Sequence, residues 1–436
     1  MSNQIYKKTK FSQFRWFVII LIIYSFIPIA NVDGDDGKQN PALPGAEIGG
    51  DMKKWKHIYI ANPMPGEGYG AGGPALADFD GDGDLDTMVS RRSTEGAYWY
   101  ERIDDETWIE HEVGSAPSLK QALGMVAVDI DHDGNPDVAT NKVWFRNPGN
   151  LAENPDAKWE KNEYEGGGHD VVAGDIDGDG WDDVVADIGA SWFPTPSMEK
   201  IDTGGEGDYH GGPAPKGVGD LDGDGDNDIV QPGRWLENPG DGRGTWKKHE
   251  WAHEPIPNAT YGTSTRSWVT DVNNDGKNDI VYSDCDTSDS HVYWVENKGK
   301  GDEWERHKLP DPPSAPGSTP GTGSFHSLGV ADFDNDGDLD IFAGEQEDAT
   351  THLVKQGKLP MKRAGMIERG VIWENVGSST DPEFEPVVFH VDNPGFHEAM
   401  IGDVDGDGDM DIVSKIWNKD SPAYTLNYWR NDNDQD

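Results

Sequence analysis

Seven nine-residue stretches fit the pattern D-x-[DN]-x-D-G-x-x-D: Asp78–Asp86, Asp129–Asp137, Asp175–Asp183, Asp220–Asp228, Asp271–Asp279, Asp332–Asp340 and Asp403–Asp411. Oxygen-bearing side chains at positions 1, 3, 5 and 9 are what a hard cation requires, and glycine at position 6 permits the sharp turn that gathers them. The residues so placed are Asp78, Asp80, Asp82 and Asp86, then Asp129, Asp131, Asp133 and Asp137, then Asp175, Asp177, Asp179 and Asp183. Asp220, Asp222, Asp224 and Asp228 follow, with Asp271, Asn273, Asp275 and Asp279. Asp332, Asp334, Asp336 and Asp340 precede the last set, Asp403, Asp405, Asp407 and Asp411. Asn273 alone departs from aspartate, and its amide still offers an oxygen. Seven copies in one register predict up to seven structural Ca²⁺ sites.

The chain carries 82 Asp and Glu against 36 Lys and Arg, a formal charge of −46. Much of that acidity is ligand chemistry, since every loop position but Asn273 is a carboxylate. The remainder disfavours nucleic acid and anionic membranes as partners. Cys285 is the only cysteine, which excludes an intramolecular disulfide and leaves the cation sites as staples. At the N-terminus Lys7, Lys8, Lys10 and Arg15 precede an apolar run from Trp16 to Ala30, shorter than the roughly 20 residues that span a bilayer. Residues 1–34 are therefore expected to be a signal peptide or, uncleaved, an N-terminal anchor. The product is secreted, extracellular or periplasmic, or held at the cell surface. Residues 35–50 form a Gly/Pro-rich linker, and 51–436 one monomeric repeat domain.

The loops must be positioned by short strands. Successive loops start 51, 46, 45, 51, 61 and 71 residues apart, near the period of a propeller blade. An alternating strand leads into each loop, as in Val171-Val-Ala-Gly-Asp175, and a short apolar strand leaves it, as in Asp279-Ile-Val-Tyr282. A third carries an aromatic and an asparagine (Trp235-Leu-Glu-Asn238, Trp294-Val-Glu-Asn297), and a fourth runs W-x-x-H (Trp246 to His249, Trp304 to His307). The seventh repeat stops after its third strand, at Tyr428-Trp-Arg-Asn431, and Trp55-Lys-His-Ile-Tyr-Ile60 supplies the missing one. The expectation is an all-β, seven-bladed β-propeller of four-stranded blades, its last blade closed by the N-terminal strand.

With these loops and strands the chain resembles the FG-GAP or VCBS repeat proteins, whose blades carry such loops, as in the integrin α-chain propeller. The W-x-E-N-P-G strand is similar to that of extracellular carbohydrate-active propellers, including polysaccharide lyases and the propeller part of aldos-2-ulose dehydratase. The resemblance implies calcium loops and a carbohydrate substrate or ligand. Other members are adhesion modules.

Residues ahead of each loop should ring the channel mouth. Six positions before the first loop aspartate stand Gly72, Leu123, His169, Ala214, Thr265, His326 and His397; the next position adds Asp170, Arg266, Ser327 and Glu398. Tyr209 and His210 lie close upstream in blade four, and second-strand ends bring Arg91, Arg92, Lys142, Glu345 and Lys415. Imidazoles beside Tyr, Arg and carboxylates suit proton abstraction next to a carbonyl or carboxylate, followed by β-elimination. One His would be the base, Tyr209, His210 or another His the acid, and Arg266 or Lys415 the cation opposite the enolate-like charge. Two other readings stand beside this one: the three His hold Zn²⁺ or another transition metal, or they tie blades together. Trp192 is either inter-blade core or a sugar-stacking platform. The insertion from Glu347 to Gly370, with Lys355, Lys358, Lys362, Arg363 and Arg369, is a lid or substrate-charge clamp, or a solvated connection. The leading function is a carbohydrate lyase or dehydratase; the alternative is a non-catalytic glycan- or protein-binding propeller.

Overall fold

Short runs rich in Val, Ile and aromatics, broken by Gly, Asn and Asp, favour brief strands with tight connections. The computed structural model of the protein describes residues 54–66, 70–168, 170–186, 190–205, 207, 211–349, 351–417 and 424–433. The expected signal segment and linker, and His169, Tyr209 and His210, lie outside the described residues. Within them the strands form seven sheets, each built on one loop-bearing hairpin. In blade five, for example, Thr265–Thr270 pairs antiparallel with Asp279–Asp284, so the acidic loop is the hairpin connection.

The first strands of blades one to seven are Ala71–Ala77, Val126–Val128, Val171–Gly174, Val218–Gly219, Thr265–Thr270, Phe325–Ala331 and Glu398–Gly402. Each packs against the first strand of the next blade, and the seventh against the first, closing a ring. Trp55–Ala61 pairs antiparallel with Leu426–Asn431 as the outer strand of blade seven. The seven-bladed propeller closed by its N-terminal strand is thus present. Blade three departs in detail: among the described residues it has three strands, with a single bridge from Ile201 to Trp192 where the fourth would run. Blade five gains a short parallel pair, Pro215–Lys216 beside Ser267–Trp268.

The recurring Trp, His and Asn have structural duties. His57, His111, His249 and His307 stack on Trp429, Trp99, Trp235 and Trp294, with ring centroids 4.2, 4.7, 4.3 and 4.5 Å apart. Three of these His also meet the glutamate of the third strand: Glu101, Glu237 and Glu296. The motif asparagine reaches the preceding blade. Asn147, Asn238, Asn297 and Asn431 donate from Nδ2 to the carbonyls of Phe79, Ile176, Leu221 and Phe333, each the second residue of the neighbouring loop. Removing such a donor orphans buried carbonyls. Asn297→Ala, which loses bonds to Leu221 and Asn278 at 2.8 and 3.1 Å, is expected to lower the urea midpoint by an amount equivalent to about 2–4 kcal/mol. An unchanged midpoint would refute the inter-blade role.

Candidate functional site

The seven loops share one backbone. Position 6 has positive φ throughout: Gly83, Gly134, Gly180, Gly225, Gly276, Gly337 and Gly408, at 85° to 107°. Position 4 is also left-handed, as Gly81, His132, Gly178, Gly223, Asn274, Asn335 and Gly406, filled by the residue types that tolerate it best. The first aspartate orders the turn. Asp220, for instance, accepts the amides of Gly223 and Asp224 on Oδ1 and of Gly225 on Oδ2. The ninth aspartate ties loop to third strand. Asp228 takes the amides of Leu221 and Asn238, and Asp86, Asp137, Asp183, Asp279, Asp340 and Asp411 each make the same pair of bonds.

These carboxylates fit a hard cation. Oxygens of positions 1, 3 and 9 lie within 4.8 Å of one another in Asp78/Asp80/Asp86, Asp129/Asp131/Asp137 and Asp175/Asp177/Asp183. Burial pushes every ninth aspartate up: Asp86 to about 9, Asp228 and Asp411 to about 8, Asp137, Asp183 and Asp340 to about 7, Asp279 to about 6. Oδ1 of Asp131, Asp177, Asp403 and Asp405 is buried without a hydrogen-bond partner. Oxygens gathered this way are those a divalent cation would hold ionised.

At the centre of the ring the lining register is one residue later than expected. Gly73, Gly124, Asp170, Pro215, Arg266, Ser327 and Glu398, each five positions before a first loop aspartate, border one cavity of about 40 Å³. Among the described residues of the preceding set, Gly72, Leu123, Thr265 and His397 do not border it, whereas Ala214 and His326 do; at His326 the pairing slips between Phe325 and Ser327, and such a bulge re-aims a side chain. The cavity holds about one water, not a sugar ring.

Arg266 spans this space. Its Nη1 lies 2.7 Å from Asp170 Oδ1, its Nη2 3.1 Å from Glu398 Oε1, and its Nε donates to the His326 carbonyl at 3.1 Å, joining blades three, five, six and seven. Burial lowers the guanidinium pKa, but Asp170 and Glu398 outweigh it and raise it. Lys415, fully buried, lies 2.9 Å from Glu398 Oε2 and donates to the Ala71 carbonyl. Burial lowers its pKa, against the opposing pull of Glu398. Its Nζ is 3.2 Å from His397 Nδ1. The His397 ring stacks on the half-buried Trp417 at 4.9 Å and lies 4.0 Å from the His326 ring. The Arg92 guanidinium sits 5.1 Å from the Trp417 ring centroid.

His326, His397, Arg266 and Lys415 are therefore brought together as expected. Several other candidates are not placed for substrate. Trp192 is wholly buried between blades three and four, its Nε1 donating to the Gly242 carbonyl as Trp235 does to Gly301, so it is core and no platform. Arg91 is equally buried, held by the carbonyls of Pro65 and Gly70. Glu345 forks onto Arg369 at 2.9 and 2.6 Å, a buried pair at the root of the insertion. Lys362 pairs with Glu368 and Arg363 with Asp289, so with Arg369 three cations of the expected clamp are engaged by the chain's own carboxylates. The insertion packs on blade five through Leu359 to Asn258 and Ser288 to Pro360. Lys142 and Lys355 are exposed. Trp417 and Asp286 were absent from the expected set; Trp417 stands two residues past Lys415, where the second-strand-end register would have found it.

The chain is a seven-bladed β-propeller. It carries FG-GAP-like repeats, whose family model matches residues 78–140 and 271–343. No curated protein matches the chain. Among solved structures, an Agrocybe aegerita protein that recognises non-reducing terminal N-acetylglucosamine aligns at TM-score 0.49 and 17% identity, over 84% of this chain and 86% of that one. The exotype rhamnogalacturonan lyase YesX aligns at 0.43 and 12%, over 87% and 76%. A rhamnogalacturonan lyase of Bacillus licheniformis aligns at 0.31 and 14%, over 86% and 75%. The propeller assignment rests on the strand topology.

Proposed function

We propose that this is an exported, calcium-stabilised propeller that acts on carbohydrate as a lyase or dehydratase, on the rim where His326 and His397 meet. The observation that carries the reading is the Lys415–His397–Trp417 group: a buried amine 3.2 Å from an imidazole that stacks on a half-buried indole. Such an imidazole can take a proton from a carbon beside a carbonyl or carboxylate. The electron pair left on that carbon forms the new C=C bond as the C–O bond at the β position breaks, and the departing oxygen takes up a proton. Arg92, whose guanidinium lies over the Trp417 ring, offers a cation to a substrate carboxylate. The substrate would lie on the rim, because the central cavity is too small for it. Arg266 and Lys415 are engaged by Asp170 and Glu398, so their part is to hold the imidazoles in place.

The alternative, a glycan- or protein-binding propeller without catalysis, is favoured by one observation: His326 and His397 are only 4% and 6% exposed. A panel of uronate-containing glycans and keto-sugars, followed for the ultraviolet absorbance of a new conjugated enoate or enone, separates the two. Turnover is expected, and His397→Asn should lower it by about 10²–10⁴-fold. Because His397 is buried, the same change should also cost about 1–3 kcal/mol of stability, measured in parallel by thermal melting. Glycan binding without new absorbance on any substrate would make it a binding module. Undiminished specific activity of the folded variant would remove His397 from the chemistry.

A further inference from the structure

Blade five's second strand ends at Asp284, and the next residues, Cys285 and Asp286, lie beside His326 of blade six. Cys285, Asp286 and His326 are 1%, 5% and 4% exposed, and one ligand atom from each lies within 4.8 Å of the others. Cys285 Sγ is 3.6 Å from Asp286 Oδ2, and His326 Nε2 is 3.2 Å from Asp286 Oδ1. A tetrahedral ion about 2.3 Å from sulfur and about 2.0 Å from nitrogen and oxygen would set its ligands about 3.3–3.5 Å apart. The two observed separations, 3.6 and 3.2 Å, fall near these values, each to a different oxygen of the Asp286 carboxylate.

The far side of the imidazole points the same way. His326 Nδ1 closely faces the His397 carbonyl and also lies 3.0 Å from Arg266 Nη2. His326 Nε2 faces the Asp286 carboxylate, and either a proton on Nε2 or a metal cation between the two joins them. A backbone carbonyl on the other ring nitrogen is also how metal-binding histidines are oriented. Ser264 completes the support: its Oγ donates to Asp286 Oδ2 at 2.8 Å and lies 2.9 Å from Cys285 Sγ. Asp286 itself is held at φ 56°, its amide bonded to Ser324 Oγ at 2.8 Å. Arg266 stands near the His326 ring, with its charge balanced by Asp170 and Glu398.

We propose that Cys285, Asp286 and His326 form a site for a borderline transition-metal ion of the Zn²⁺ class. It is distinct from the acidic loops, which offer oxygen alone, and from a set of three histidines. A thiolate and an imidazole select against Ca²⁺. Three protein ligands leave the fourth tetrahedral position to an oxygen from solvent or ligand.

The test uses the full chain with Ca²⁺ at saturation, so that the oxygen-only loops are filled, and Co²⁺ as the probe. One equivalent of Co²⁺ should bind with a thiolate-to-metal charge-transfer band in the near ultraviolet, displaced by Zn²⁺. As the protein has one cysteine, that band reports Cys285 and nothing else. Cys285→Ser should abolish it, and His326→Gln should weaken Co²⁺ binding by more than the roughly 10–100-fold that loss of an outer-shell partner costs. No band from the wild-type chain in molar excess of Co²⁺ overturns the proposal, and so does unchanged affinity in folded His326→Gln. Neither reading depends on turnover, so the outcome is separable from that of the elimination assay.

Discussion

A chain lacking residues 54–60 is expected to lose cooperative unfolding and to aggregate. That segment supplies the outer strand of blade seven, in register from Trp55 opposite Asn431 to Tyr59 opposite Asn427. Ile58 and Ile60 are buried with Val404, Val413, Leu426 and Tyr428 of blade seven and with Ala71, Val89 and Tyr100 of blade one. Each isoleucine is worth about 1.5–3 kcal/mol of burial. The deletion also strips His57 from Trp429 and bares the edge of Leu426–Asn431. Against a total stability of about 5–15 kcal/mol this is a large fraction. Since the partner strand runs antiparallel, Lys54–Ala61 appended after Asp436 through an Asn-Gly turn should restore the fold. Urea unfolding and size-exclusion chromatography distinguish the forms. A deletion variant that stays soluble and unfolds at the parental midpoint would refute the closure.

The loops and the blade count were legible because they rest on backbone demands that few residues meet. Glycine at position 6 and Gly, Asn or His at position 4 sit at positive φ in all seven copies, and the pattern of types in the sequence records it. The third-strand asparagine was visible as a repeat, but its purpose was not. Its acceptor lies on another blade, 76 residues away for Asn297 and Leu221. Trp192 left core and platform both open for the same reason: its local sequence lacks the blade motif, while the carbonyl it serves, Gly242, is 50 residues on. The histidines stand six before each loop, whereas the position five before borders the central cavity in every blade. There Asp170, Arg266 and Glu398 form a network across the ring that no single repeat displays. His326 enters the lining at a slip in pairing, which residue spacing does not encode.

Removing Ca²⁺ is expected to lower the melting temperature strongly, by more than any single substitution. In each loop the first aspartate is already bonded to backbone amides of the turn, so the loop is ordered before a cation arrives. What remains is charge. Several carboxylates converge, the ninth is pushed up by burial in every copy, and buried oxygens of Asp131, Asp177, Asp403 and Asp405 lack a hydrogen-bond partner. A cation that binds the folded loop and not the unfolded chain contributes about 2.7 kcal/mol per site at a hundredfold excess over Kd. A few such sites equal the whole stability of an ordinary domain. Blades also share loops through the asparagine bonds, so emptying one loop loosens the third strand of the next blade. Thermal melts in Ca²⁺, in chelator and after Ca²⁺ is restored, with metal content followed by elemental analysis, measure the effect. Mg²⁺ should rescue poorly, because it demands a smaller octahedral shell than these loops provide. If the metal is shown to leave and the melting curve does not move, the loops are acidic turns and the amide bonds of the first and ninth aspartates hold the blades unaided.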